Sequence, residues 1–297
     1  LWLTSGITGG DMPEVRVASF NLWGIEGREV QNSVAFAAQR MGPAVGNALA
    51  VGFQEVWYQH QLARVRDAWL GAGQFSSRRS GAVVWQSQSP GSWAVLVPDT
   101  PALSVPNFAF DNSSGLALCV QGRLSDAFYD RYRVAQVPDR FAYKGVLAAL
   151  VVHQGVRRAF VTTHMNNADG DAAGNARAWQ IEQLAGDLRW IDRNWNAPVI
   201  LTGDFNIDAI RAINDASSVA RVLYSRLLSA ARAPNQWFWD VNARQQQPNP
   251  PVRTSHNGLE AIDLHLLDDR TRSQVVFAAL DDQASDHFMV ESSWVEP

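Results

Sequence analysis

Ten short apolar runs punctuate the chain. They are VRVASF (15–20), ALAVGF (48–53), GAVVW (81–85), WAVLV (93–97), GLALCV (115–120), GVLAALVV (145–152), RAFVTTH (158–164), PVILTGDF (198–205), IDLHLL (262–267) and HFMVESSW (287–294). Runs of this length, rich in Val, Ala and Leu, predict strands, many of them buried on both faces. Helical patterns lie between them. The clearest is 172–195, where Trp179, Ile181, Leu184, Leu188 and Ile191 fall near i, i+3, i+4 spacing and predict one apolar stripe, with Pro198 opening the next strand. Weaker helices are expected at 28–41, 60–72 and 214–230. Strands and helices alternate from end to end with no Ser/Gly/Pro linker and no repeat. That order predicts one α/β domain, two mixed sheets packed together with helices outside, a four-layer α-β-β-α sandwich. Residues 1–14 are expected as an N-terminal extension and 15–297 as a single catalytic domain. The polar, Pro-rich segment 243–258 predicts a long loop of the kind that often carries function.

Composition adds limits. With 297 residues, 46% of them hydrophobic and 12 of them Trp, the chain can bury a substantial core. A net charge of −4 gives no general attraction to polyanions, so nucleic acid is the less favoured partner. The single cysteine, Cys119, excludes an internal disulfide and reads as a small core residue. No run reaches the roughly 20 apolar residues that span a bilayer. The chain opens at LWLTSG rather than Met. That is compatible with a removed signal peptide, and a secreted or periplasmic, monomeric protein is expected.

Chemistry collects at the strand ends. PVILTGDFNID runs from an apolar strand into Asp204 and Asn206, which strand alternation would place on one side, or which could form an Asx turn. Glu55 follows ALAVGFQ, Asn21 ends VASFN, and His164 ends AFVTTH. Asp263 opens IDLHLL, and Asp286 and His287 precede the last strand. Each of these alone reads as well as a cap or a turn. If the strands share a sandwich, the tips can meet. Gathered carboxylates repel and hold protons unless a cation sits among them. Oxygen and amide ligands without Cys select a hard divalent ion, Mg²⁺ first and Mn²⁺ or Ca²⁺ after it. Such an ion beside histidines suits phosphoester hydrolysis, with a histidine taking the proton of the attacking water.

The order SFN, QE, THMN, GDFN, ID and SDH resembles the endonuclease/exonuclease/phosphatase superfamily, whose fold is deoxyribonuclease-I-like. The motifs run from Asn21 to His287. The resemblance implies Glu55 as principal metal ligand with Asn21 beside it and Asp286 near the metal. It implies that Asp204 and Asn206 position water and phosphate. His164 would contact the phosphate or leaving-group oxygen, His287 would be the general base, and Asp263 its orienting carboxylate.

Lys144, in RFAYKGVL, is the only lysine among 25 Lys and Arg residues. A Lys-Gly step one strand before RAFVTTH is similar to the neutral sphingomyelinase branch, and it implies a compact charge near the phosphate, with Gly145 permitting close backbone approach. A structural ion pair is the other reading of Lys144. QWFWDVNAR (236–244) resembles the segment before the ID strand in that branch; Trp237 and Trp239 either pack at the core edge or form an aromatic rim that meets lipid. The interval DDRTRSQVVFAALDDQA (268–284) is short and acidic, and it leaves no room for the aromatic hairpin that secreted sphingomyelinases carry there. The branch implies hydrolysis of sphingomyelin or a related phospholipid to a neutral lipid and phosphocholine or a similar head group, at a membrane surface. A nuclease, or a phosphoesterase acting on inositol phosphates or nucleotides, is the alternative on the same fold.

Overall fold

The computed structural model describes residues 14–22, 31–72, 74–87, 93–101, 103–105, 108–110, 114–136, 139, 142–167, 171–230, 238–246, 251–255, 260–268, 275–280 and 285–295. In chain order the elements are β1 (Glu14–Asn21), α1 (Gln31–Met41), β2 (Ala48–Gln54), α2 (Gln59–Leu70), β3 (Gln74–Arg79), β4 (Ala82–Ser87), β5 (Trp93–Pro98), β6 (Leu103–Val105), β7 (Phe108–Phe110), β8 (Ala117–Gln121) and β9 (Arg123–Arg131). There follow β10 (Gly145–His153), β11 (Val156–His164), α3 (Asp171–Trp195), β12 (Val199–Asp204), α4 (Ala209–Asn214), α5 (Val219–Ala230), β13 (Phe238–Asp240), α6 (Val241–Gln245), β14 (Asp263–Asp268), β15 (Val275–Leu280) and β16 (Met289–Val295). An eight-stranded sheet has the order β15-β16-β1-β2-β8-β5-β4-β3, and a six-stranded sheet has the order β13-β14-β12-β11-β10-β9. Both are mixed, since β1 runs parallel to β2 and β11 to β12 while their other neighbours are antiparallel. β6 and β7 pair only with each other.

Three apolar clusters make the layers. Val17, Leu96, Leu118, Leu147 and Phe160 belong to the one between the two sheets. Phe20, Phe53 and Val95 pack the outer face of the large sheet against Val34 and Met41 of α1 and Val65 and Trp69 of α2. Val146, Val161 and Leu201 pack the outer face of the small sheet against Ile181, Leu184 and Leu188 of α3 and Leu227 of α5. The arrangement is the four-layer α-β-β-α sandwich expected from the element order. Cys119 is buried in β8, where burial pushes its thiol well up.

The ten apolar runs of the sequence are the ten interior strands of the two sheets. The strands they missed, β3, β15, β9 and β13, are the four sheet edges, together with the separate β6–β7 pair. β3, β9 and β13 carry no continuous apolar run of that length, whereas β15, VVFAAL, does, with only Phe277 of it buried. β9, RLSDAFYDR, keeps only Leu124 and Ala127 buried. Trp179 departs from expectation. It is 65% exposed, while Ile181, Leu184, Leu188 and Ile191 are buried. Two residues along a helix turn the side chain by about 200°, which carries Trp179 off the stripe. Glu14, expected in the N-terminal extension, already pairs with Val295 in β1; residues 1–13 lie outside the described residues. The loop expected from 243 begins later, because α6 runs to Gln245. Trp237 and the side chain of Trp239 lie outside the described residues, as do 269–274 and 281–284. The part of the 268–284 interval between them is β15, hydrogen-bonded to β16.

Candidate active site

Strand pairing brings the polar tips together. Parallel β1 and β2 set Asn21 beside Gln54, and Glu55 comes next. Parallel β11 and β12 set His164 beside Asp204, and antiparallel β14 sets Asp263 opposite Asp204. Gly203, at φ +146°, makes the second contact feasible, since a Cβ there would meet the Thr163 carbonyl oxygen at 2.1 Å. The turn before β16 is tied to β1. Ser285 Oγ donates to the Asn21 carbonyl at 2.7 Å and accepts the His287 N–H at 3.1 Å.

All nine residues singled out in the sequence join one network. Asn21 Nδ2 lies 3.3 Å from Glu55 Oε1, 3.1 Å from Asp204 Oδ2 and 3.5 Å from His287 Nε2. His287 Nδ1 meets Asp263 Oδ2 at 2.8 Å, and its Nε2 stands 3.8 Å from Asp286 Oδ1 and 4.0 Å from Asp204 Oδ2. His164 Nε2 is 3.4 Å from Asp204 Oδ2 and 2.9 Å from Lys144 Nζ. Asn206 donates its backbone N–H to Asp204 Oδ1 at 2.9 Å and its Nδ2 to the Met165 carbonyl at 3.1 Å.

Three details decide between or refine the sequence readings. Asp204 and Asn206 converge through an Asx turn, with Asn206 at φ +52°, rather than through strand alternation, because β12 ends at Asp204. Lys144 touches the site and is also ion-paired. Its ammonium meets Asp139 Oδ1 at 3.0 Å, His164 Nε2 at 2.9 Å and the Met165 carbonyl at 3.2 Å, which occupies all three of its hydrogens. Gly145 does allow a close approach, but to backbone of β9, since a Cβ there would lie 2.2 Å from the Asp130 carbonyl oxygen.

Sequence reasoning missed the supports. Asp139, five residues before the lone lysine, holds Lys144 and accepts the Asn167 N–H on Oδ2 at 2.6 Å. Gln54, in the QE pair, spans the sandwich by donating to Thr162 Oγ1 at 2.9 Å. Thr254, inside the Pro-rich loop, accepts the N–H groups of Ile262 and Asp263 on Oγ1, both at 3.0 Å, and the Phe288 N–H on its carbonyl at 2.8 Å. It therefore fixes the segments of Asp263 and His287 together. The only signals for these residues were an acid near an isolated lysine and a hydroxyl in a conspicuous loop.

The electrostatics follow from burial. Desolvation raises the Glu55 pKa, against the opposing pull of Lys144, His287 and Asn21. Burial and the neighbouring Asp263 lift Asp204 to about 7. Burial works against a charged His287, but Asp263, Asp204 and Asp286 outweigh it and raise its pKa to about 10. Burial, then Lys144 and His287, holds His164 far below the usual range. His164 is therefore neutral, and with Lys144 donating to Nε2 its proton sits on Nδ1, a buried nitrogen with no hydrogen-bond partner among the described residues.

A cation fits this donor set. Glu55 adopts φ +62°, a sparsely populated conformation for a residue with a side chain, and its Oε2 is buried without a hydrogen-bond partner. Asp204, Asp263 and His287 also offer ligand atoms within 4.8 Å of one another. A cation there would displace the Asp263–His287 hydrogen bond, whereas Glu55 Oε2 has no competing partner. The Glu55 corner is the better fit.

No protein family and no curated protein matches this sequence. Solved structures match the fold. A beta toxin variant from Staphylococcus aureus with bound magnesium ions aligns over 95% of this chain and 100% of its own, at TM-score 0.60 and 14% identity. Sphingomyelinase C from Streptomyces griseocarneus aligns over 95% and 99%, at TM-score 0.56 and 16% identity. TDP2 from Caenorhabditis elegans aligns over 98% of this chain and 77% of its own, at TM-score 0.59 and 15% identity. The chain shares the deoxyribonuclease-I-like fold of these neighbours.

Proposed function

We propose that this protein is a divalent-metal-dependent phosphodiesterase that hydrolyses sphingomyelin or a related phospholipid to a neutral lipid and a phosphorylated head group. The observation that carries the proposal is the buried His287–Asp263 pair, set across Asn21 and Asp204 from a Glu55 carboxylate with an unpaired oxygen. Asp263 holds the Nδ1 proton of His287, and a cation at the Glu55 corner would offset the acids that otherwise keep His287 protonated, which would free Nε2 to take the proton of an attacking water. Asp204, next to both histidines, orients that water. The Nδ1–H of His164 and the second Nδ2 hydrogen of Asn206 supply donors for phosphoryl oxygens. A magnesium ion held by Glu55, Asn21 and Asp286 supplies stabilisation of phosphoryl charge when bound, and manganese or calcium suit the same ligands. Lys144 contributes positive charge through His164 rather than by direct contact, since its hydrogens are already used.

The lipid substrate is supported by the Lys144–Gly145 step and by fold neighbours that include a sphingomyelinase C. Action at a membrane surface by a secreted or periplasmic protein goes with it; no helix among the described residues is long and apolar enough to cross a bilayer. A nuclease, or a phosphoesterase acting on inositol phosphates or nucleotides, is the second reading, since the fold is shared with TDP2 as well as with a sphingomyelinase C. One assay tests both, with sphingomyelin, phosphatidylcholine and plasmid DNA side by side in Mg²⁺ and in EDTA. Lipid hydrolysis in Mg²⁺ alone is expected. DNA nicking with intact lipids would move the assignment to a nuclease.

A further inference from the structure

A cavity of about 340 Å³ opens beside the catalytic network and shares Asn206 with it. Its floor is apolar, built from Ile207, Leu223 and Ile262, all buried. Arg177 of α3 and Arg211 of α4 stand on its walls, and Val219 and Ala220, the first turn of α5, form part of the rim. Arg177 is partly fixed, donating Nη1 to the Asn166 carbonyl at 2.9 Å. Arg211 is exposed, and its charge also acts on Asp215 at the end of α4. The volume is that of a small-ligand site.

The geometry points to a subsite for an acidic oxygen group, a carboxylate or a phosphate, carried on the substituent of the phosphodiester that extends past Asn206. Two guanidinium groups from different helices present forked donors to one space, the arrangement that suits such oxygens. The positive end of α5 adds to the same potential. Of the two acids in the lining, Asp208 is engaged in caps, accepting the N–H groups of Ile210 and Ala261 on Oδ1 at 3.0 and 3.2 Å. Glu260 is exposed at the rim. No aromatic residue lines the cavity among those described, so it lacks the ring faces that bind a quaternary ammonium. The inference rests on the phospholipid reading and narrows it. A head group bearing a carboxylate or a second phosphate is preferred over choline.

Monomeric dihexanoyl phospholipids test this without the influence of vesicle surface charge. The heads to compare are choline, serine and inositol 4-phosphate. The wild type is expected to show kcat/KM for the two acidic heads about tenfold or more above that for choline. Arg211→Gln, a change at an exposed position, is expected to bring that ratio near one. A choline head used as well as the acidic ones, or a ratio that Arg211→Gln does not move, overturns the subsite. Calorimetric titration with glycerol 3-phosphate in EDTA reads the cavity without turnover. Binding by the wild type that weakens about tenfold in Arg211→Gln is expected. Absence of wild-type binding overturns the subsite even where lipids are cleaved. Binding without hydrolysis of any lipid keeps the subsite and overturns the lipid reading.

Discussion

The two sheets equip the site unequally. The large sheet brings Asn21 at the end of β1, Glu55 just after β2 and Asp286 just before β16, the corner where Glu55 Oε2 is buried without a hydrogen-bond partner among the described residues. The small sheet brings His164, Asp204, Asn206, Asp263 and Lys144, which are tied to one another and to backbone, with His164 Nδ1 and Asp263 Oδ1 left without a hydrogen-bond partner among the described residues. His287 comes from the large-sheet side and bonds to Asp263 on the other. The difference separates two tasks. One side is left electrostatically unfinished, as a cation requires, and the other is held rigid, as proton transfer and phosphate positioning require.

Breaking either task should have the largest effect. Glu55→Ala or His287→Ala is expected to lower Mg²⁺-dependent phosphodiester hydrolysis by about a thousandfold or more while circular dichroism stays native. Near-normal turnover by either folded variant would refute the division. Asp263→Asn tests the bond that crosses the seam. It keeps the shape but no longer compensates a charged His287 or enforces its Nδ1 proton, and a loss of about a hundredfold or more is expected in kcat with a smaller change in KM.

Lys144→Ala comes next. It removes the charge behind His164 and leaves Asp139 buried without its ion pair, so activity should fall about tenfold or more and stability by about 3 kcal/mol. An unchanged rate in a destabilised protein would return Lys144 to a purely structural role. The smallest effect concerns the outer side of the small sheet. Asp187 of α3 has its pKa raised to about 7, by burial first and then by Asp130. Unfolded, it would titrate near 3.8. Between those values the folded state holds a proton that the unfolded state has released, so stability falls as pH rises from about 4 to 7. Asp187→Asn should raise the melting temperature at pH 8 by a few degrees and flatten its dependence between pH 5 and 8 in thermal scans. A steeper dependence in the variant would contradict that sign.

Legibility followed burial. β1, β2, β11, β12 and β14 could be read because each is covered on both faces, and their polar ends stood out against the apolar runs. β3, β9 and β13 could not be read, because they carry no sustained apolar run, while β15, VVFAAL, carries one and was passed over inside an interval read as short and acidic. Trp179 was misplaced because loose i, i+3 spacing admits a neighbour on the wrong side of the helix. Within the site, Glu55, Asp204 and His287 were visible as motif residues. Asp139, Gln54 and Thr254 were not, since each acts on a group far away in space or through backbone atoms that no side-chain pattern reveals.

The sequence by itself marked the interior strands and the polar residues that end them, because continuous burial leaves a continuous apolar signature, but edge strand β15 carries that signature too. Only the tertiary structure decided that those ends converge, that Lys144 is fully bonded, that Asn206 reaches Asp204 through a turn, and that an arginine-walled cavity lies beside them. Each of these depends on distances between segments far apart in the chain. Such distances are set by the packing of two sheets face to face, and no local pattern encodes them.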